Sequence, residues 1–103
     1  MDNFKVIYKI LKILEAAMDA QEFDEDLLSP SLFQISRERL DAILIMLLKD
    51  GYITGIIPVR FGGVSGVTFD DARITIKGLE YLAENTFMKK AANIAKGIAD
   101  MIP

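Results

Sequence analysis

Neither cysteine nor histidine occurs among the 103 residues, and tryptophan is missing as well. These absences remove whole classes of chemistry. Without a thiolate or an imidazole there is no zinc finger, no thiol nucleophile, no Ser–His pair and no imidazole base. No disulfide can staple the chain, which suits a reducing cytoplasm. Long apolar runs are lacking too. The longest uncharged one, Ala42 to Leu48, is far shorter than the roughly 20 residues needed to cross a bilayer. Lys5, Lys9 and Lys12 interrupt the first apolar stretch, so it does not read as a signal peptide. The acid–base groups left are carboxylates in caps and turns. The expectation is a soluble cytoplasmic binding protein, with no membrane attachment, catalytic residues, cofactor or metal.

What is present is a chain of ordinary single-domain length, read as one domain over residues 1–103 with residues 85–103 as a C-terminal helical extension. A domain of this size buries roughly two-thirds of the surface its unfolded chain exposes. Hydrophobic residues make up 51% of the sequence, and the mean hydropathy is positive. That is much to hide in one small core, so self-association as a homodimer is expected. Charge is unevenly spread. Residues 1–30 hold seven acids and three bases, residues 31–76 hold five of each, and residues 77–103 hold four bases and three acids.

Apolar spacing predicts a helix from Phe4 to Met18 with two stripes. Phe4, Ile7, Leu11, Leu14 and Met18 form one; Val6, Ile10, Ile13 and Ala17 form the other. An arc that wide calls for two packing partners, and Asp2 or Asn3 is the cap. Gln21 to Asp26 reads as a solvated acidic connector; it lacks the glycine and distal glutamate of a calcium loop. Ser29-Pro30 opens a short helix ending near Phe33 or Gln34. Ser36 caps a longer one that runs to about Asp50, with Leu40, Leu44 and Leu47 inward and Gly51 stopping it. Tyr52–Arg60 and Val67–Ile76 read as strands joined by a flexible tip, Phe61-Gly-Gly-Val-Ser-Gly66. Pro58 has no amide donor, so its strand must expose that edge or bulge there. Thr75 caps a helix over Ile76–Asn85 with Leu79 and Leu82 inward, and Thr86 caps a last one with Phe87, Ala91, Ile94, Ala95, Ile98 and Ile102 in a stripe.

Helix, short helix, turn, longer helix, hairpin, helix is the order of a winged helix-turn-helix in the α+β class. At the family level the chain resembles the YjcQ-like proteins of bacteria and phages. The resemblance rests on Phe4-Lys-Val-Ile-Tyr-Lys-Ile-Leu-Lys12, on Phe23-Asp-Glu with Ser29-Pro30, and on Ile74-Thr-Ile-Lys-Gly-Leu-Glu-Tyr-Leu82 continuing to Met88-Lys-Lys-Ala-Ala92. It covers almost the whole chain. It implies a winged-helix fold, a phage or prophage setting, and no established activity or functional residues to carry over. A link to phage particles is one implication; transcription regulation follows from the fold.

Two binding readings follow. As a DNA-associated regulator the domain would place the Ser36-capped helix in the major groove, using Arg37, Arg39, Lys49 and Arg60 on phosphates of duplex DNA. With Leu40, Leu44 and Leu47 inward, that helix puts Glu38, Asp41, Ala42, Ile45 and Lys49 outermost. Glu38 and Asp41 oppose phosphate there, and no basic stripe stands out. As a protein-interaction module, such as a phage assembly or accessory factor, the domain would use Ile45, with Leu48 beside it, and Phe61 at the hairpin tip.

Overall fold

The computed structural model describes residues 1–85. The last predicted helix, from Thr86, lies outside them. The first helix, α1 (Asn3–Ala16), begins where Asp2 accepts a hydrogen bond from the Lys5 amide. It ends two residues earlier than the apolar spacing suggests, because Ala17–Asp19 tightens into a 3-10 turn. Val6, Ile10, Leu11 and Leu14 are buried and Ile7 and Ile13 half-buried, whereas Phe4 and Met18 are exposed. The predicted stripe therefore loses both its ends. The tightened turn explains Met18, since three residues per turn rotate it off the face that Leu14 holds.

The acidic connector is not irregular throughout: Glu25–Leu28 forms a second 3-10 turn, capped by the Asp24 carboxylate accepting from the Asp26 amide. It drops Leu28 into the core, while Phe23 packs beside Phe69 with ring centroids 6.0 Å apart. Next comes α2 (Pro30–Phe33), a single turn with proline at its start. Lys9 donates to the Leu32 carbonyl at 2.9 Å and lies over the Phe33 ring, so this base of α1 closes the end of α2. In α3 (Arg37–Lys49), Ser36 accepts from the Arg39 amide at 3.1 Å. Leu40, Leu44 and Leu47 face inward as predicted, joined by Ile43.

Two strands follow, β1 (Ile53–Phe61) and β2 (Val64–Ile74), paired antiparallel. They run closer together than the six-residue tip predicted from sequence. Phe61 pairs with Val64, leaving only Gly62 and Gly63 in the turn, at φ 57° and 82°. Two consecutive positive φ values define the tight hairpin turn that suits the twist of the strands, and glycine adopts them without strain. Counting back from that closing pair, Pro58 opposite Val67 falls at a non-hydrogen-bonded pair. Its missing amide therefore points to the open edge, as a proline in a strand requires. The bulge lies elsewhere. Between Thr54 and Ile56 the register shifts, with Gly55 at φ 78° against Asp71 at φ 59°. A side chain at Gly55 would collide with the Asp71 carbonyl.

The last described helix is α4 (Ile76–Glu84), and its first turn explains the Thr75-Ile-Lys-Gly78 sequence. Thr75 Oγ1 accepts from the Gly78 amide at 3.1 Å and donates to the Gly51 carbonyl at 2.6 Å. Lys77 donates to the Asp50 carbonyl and covers the Tyr52 ring, 4.7 Å from its centroid. Gly78 has no room for a side chain: a Cβ would stand 2.5 Å from the Tyr52 carbonyl oxygen. The segment is thus a clasp between the start of α4 and the end of α3. With α4 so placed, α1 packs against both α4 and β2, the two partners its wide apolar arc calls for. Among the described residues no helix is long and apolar enough to cross a membrane.

Candidate functional site

The outer face of α3 differs from the sequence prediction at three positions. Arg37, Glu38, Arg39, Ala42, Met46 and Lys49 are exposed, whereas Ile45 is half-buried and Asp41 buried. Asp41 was expected among the outermost residues. It sits instead on the flank of the buried arc, where the hairpin folds across α3. Position 66 lies against it: a Cβ there would make ordinary contacts with the Asp41 Oδ2 atom at 3.8 Å and the Val59 side chain at 3.9 Å. Because alternate cross-strand pairs share a face, Val59, Gly66, Phe61 and Val64 lie on one side of the hairpin.

Between α3 and the hairpin run two shallow grooves. The first is bounded by Ile45 and Lys49 on the helix and by Pro58, Arg60 and Ser65 on the strands. The second has Arg37, Glu38 and Asp41 on one wall and Val59, Phe61, Val64 and Val67 on the other. The structure thus brings Ile45, Lys49 and Arg60 together, and places Arg37 and Phe61 on the neighbouring groove. Leu48 is half-buried and packs against the core, away from this surface. Arg39 stands apart. Its guanidinium donates to Asn3 Oδ1 at 2.8 Å and to the Met1 carbonyl at 3.2 Å, tying α3 to the start of α1.

Most bases are engaged within the fold. Lys5 pairs with Asp2 and Lys12 with Glu15. Lys9 and Lys77 bond carbonyls. Arg73 donates to the carbonyls of Ala17, Ala20 and Gln21 and pairs with Asp71, whose carboxyl its hydrogen bond holds below the usual aspartate range. Lys49 and Arg60 form no ion pair among the described residues.

Asp41 carries the least ordinary electrostatics. Its Oδ1 atom is buried without a hydrogen-bond partner, and the nearest cation, Arg37, is 3.8 Å away. Burial raises the carboxyl above the usual aspartate range; Arg37 opposes that shift and Glu38 adds to it. Four features of this surface escape a linear reading: the burial of Asp41, and the exposed Met46, Val59 and Val64. Reading the tip as a two-residue turn at Gly62-Gly63 would have placed both valines on the hairpin face that carries Phe61. Asp41 and Met46 carry no comparable local signal.

Helices around a two-stranded antiparallel sheet, in an order compatible with a winged helix, define a small α+β domain that presents a helix and a hairpin together. The YjcQ protein family model matches residues 8–101, and the chain belongs to that family. No curated protein and no solved structure matches it at a significant level.

Proposed function

We propose that this chain is a non-enzymatic winged-helix module that binds a protein partner through α3 and the hairpin, its wing. One observation carries this: the wing presents Phe61 at 87% and Val64 at 71% exposure beside the Glu38 and Asp41 carboxylates. Exposed apolar groups gathered at a tip mark contact surfaces for other proteins, and the adjacent acids repel phosphate. Fold analogy ranks a DNA-associated regulator first; this surface supports the interaction module better. A phage or prophage setting, and with it an assembly or accessory role in the cytoplasm, comes from the family resemblance.

The DNA reading keeps one specific support, Lys49 and Arg60 both lining the groove beside Ile45. Two neutralised phosphates would give a log–log salt slope of only about 2 per chain. In a gel shift with mixed duplex DNA at low salt, the wild type should show little retention, unchanged by Lys49→Glu or Arg60→Glu. A photo-crosslinker at position 61 in an extract of the natural host should give discrete protein adducts, identifiable by mass spectrometry as phage-encoded or not. Tight duplex binding that Arg60→Glu abolishes and Glu38→Gln strengthens would overturn the interaction reading.

The module also pairs with a second copy of itself, a proposal supported by the apolar content and by exposed Phe4, Met18 and Ile76. The apolar spacing builds that dimer from the first helix and the last, with the alanine stripe Ala91, Ala95 and Ala99 allowing close approach, and the last helix lies outside the described residues. Light scattering at micromolar concentration should give about twice the chain mass. A constant monomer mass over the whole accessible concentration range would exclude pairing.

A further inference from the structure

A carboxylate removed from water without a donor is costly, and proteins that retain one commonly use it. The Asp41 side chain is only 9% exposed, its Oδ1 atom has no hydrogen-bond partner, and Arg37 stands off at 3.8 Å with a side chain that is 59% exposed. The fold gains little from this group. Leu40, Ile43, Leu44 and Leu47 already supply the buried face of α3, and Asp41 caps no helix and closes no turn. It does form part of the wall of the second groove, opposite the side-chain-free Gly66.

That groove encloses about 320 Å³, the lower end of the roughly 300–1,000 Å³ typical of ligand clefts. Its mouth is apolar through Val59, Phe61 and Val64, and its charged wall holds two carboxylates, Glu38 and Asp41, against the single cation Arg37. An occupant that complements both features brings a positive charge and an apolar neighbour. Phosphate brings the opposite charge.

We propose that the groove between α3 and the hairpin takes a lysine or arginine side chain, next to an apolar residue, from a peptide segment of the partner protein, with Asp41 as the acceptor. The assignment rests on the interaction reading above and names the chemistry that the partner must carry. An arriving ammonium or guanidinium supplies a donor to the Asp41 carboxylate, which no hydrogen bond now satisfies at Oδ1, and the apolar neighbour lies against Phe61 and Val64. A charge pair formed on a carboxylate already screened from water is worth more than one at an open surface.

The test uses the full chain and a displayed library of random seven-residue peptides as the probe. Enriched peptides should carry lysine or arginine beside an apolar residue, and should bind Asp41→Asn at least tenfold more weakly. The same variant should unfold at an equal or higher urea concentration at neutral pH, because it removes a buried charge and keeps the shape. Gly66→Ala is the second variant: its methyl makes ordinary contacts at 3.8 and 3.9 Å, leaves the fold intact and narrows the groove, so affinity should also drop. Peptides without a cation, equal binding to Asp41→Asn, or a lowered urea midpoint for that variant would overturn the assignment. If such cation-free peptides still need Phe61, the interaction reading survives and only the Asp41 site falls. No enrichment at all, with duplex DNA retained instead, overturns both.

Discussion

Replacing Leu47 by alanine is expected to cost about 2–5 kcal/mol of unfolding free energy, measured by urea or guanidinium denaturation. Leu47 is 4% exposed and belongs to the same buried cluster as Leu40, Ile43 and Leu44 of α3, Val6, Ile10 and Leu14 of α1, and Ile53 of β1. The loss combines the transfer of the side chain from core to water with a cavity that neighbours on three different elements cannot all move to fill. Ile45→Ala, two residues earlier and half-buried at the groove, should cost clearly less, since its surroundings already admit water. The contrast tests the rotational setting of α3 as well as its burial. A Leu47→Ala loss below about half a kcal/mol, the range of substitutions away from packed sites, would mean that α3 presents another face to the core.

That rotational setting was legible from Leu40, Leu44 and Leu47 because a helix period of 3.6 residues makes the inner face a local property. The caps were legible for the same reason. Ser36 and Thr75 cap their helices and Pro30 starts its own, each within a turn of its position, whereas Ser29 before Pro30 makes no side-chain capping bond. What escaped depends on contacts between distant segments. Asp41 follows Leu40 in the sequence and lies at the border of the buried arc. Whether a border residue is wet or dry is decided by the hairpin, which brings position 66 within contact distance of the Asp41 carboxylate. Reading Phe61 to Gly66 as a loose tip missed that Gly62-Gly63 alone makes the tightest turn, which lengthens both strands and carries Phe61 and Val64 out together. Gly55 inside a strand was a usable sign of a bulge, and the bulge is there. Arg39, a phosphate-contact candidate by its position on α3, binds the start of α1 across 36 residues of sequence. No helical wheel contains that contact.

Arg73 is the most consequential of these distant contacts, and Arg73→Ala is expected to destabilise the protein by about 2–4 kcal/mol, on the scale of lost charge-assisted hydrogen bonds. Sequence alone pairs this arginine with its neighbouring acids, and it does bond Asp71, with Nη2 3.0 Å from Oδ1 and Nε 3.1 Å from Oδ2. The larger part of its work is elsewhere. Nη1 donates to the Ala17 and Ala20 carbonyls at 2.7 and 3.0 Å, and Nη2 donates to the Gln21 carbonyl at 2.8 Å. The Ala17 carbonyl also accepts from the Ala20 amide within the 3-10 turn, while those of Ala20 and Gln21 lie past the end of that turn. One guanidinium therefore closes the C-terminal end of α1 and fastens it to β2, with a side chain only 24% exposed. Arg73→Lys should recover little, because an ammonium cannot span three carbonyls and a carboxylate at once as the planar fork does. Asp71→Asn should cost much less than Arg73→Ala, since Asp71 is exposed and water replaces it. Amide exchange gives the local readout: in Arg73→Ala, protection should fall first at Ala20 and in the last turn of α1. A loss confined to Asp71 and the hairpin, with α1 protected as before, would show that the clamp on the first helix contributes nothing.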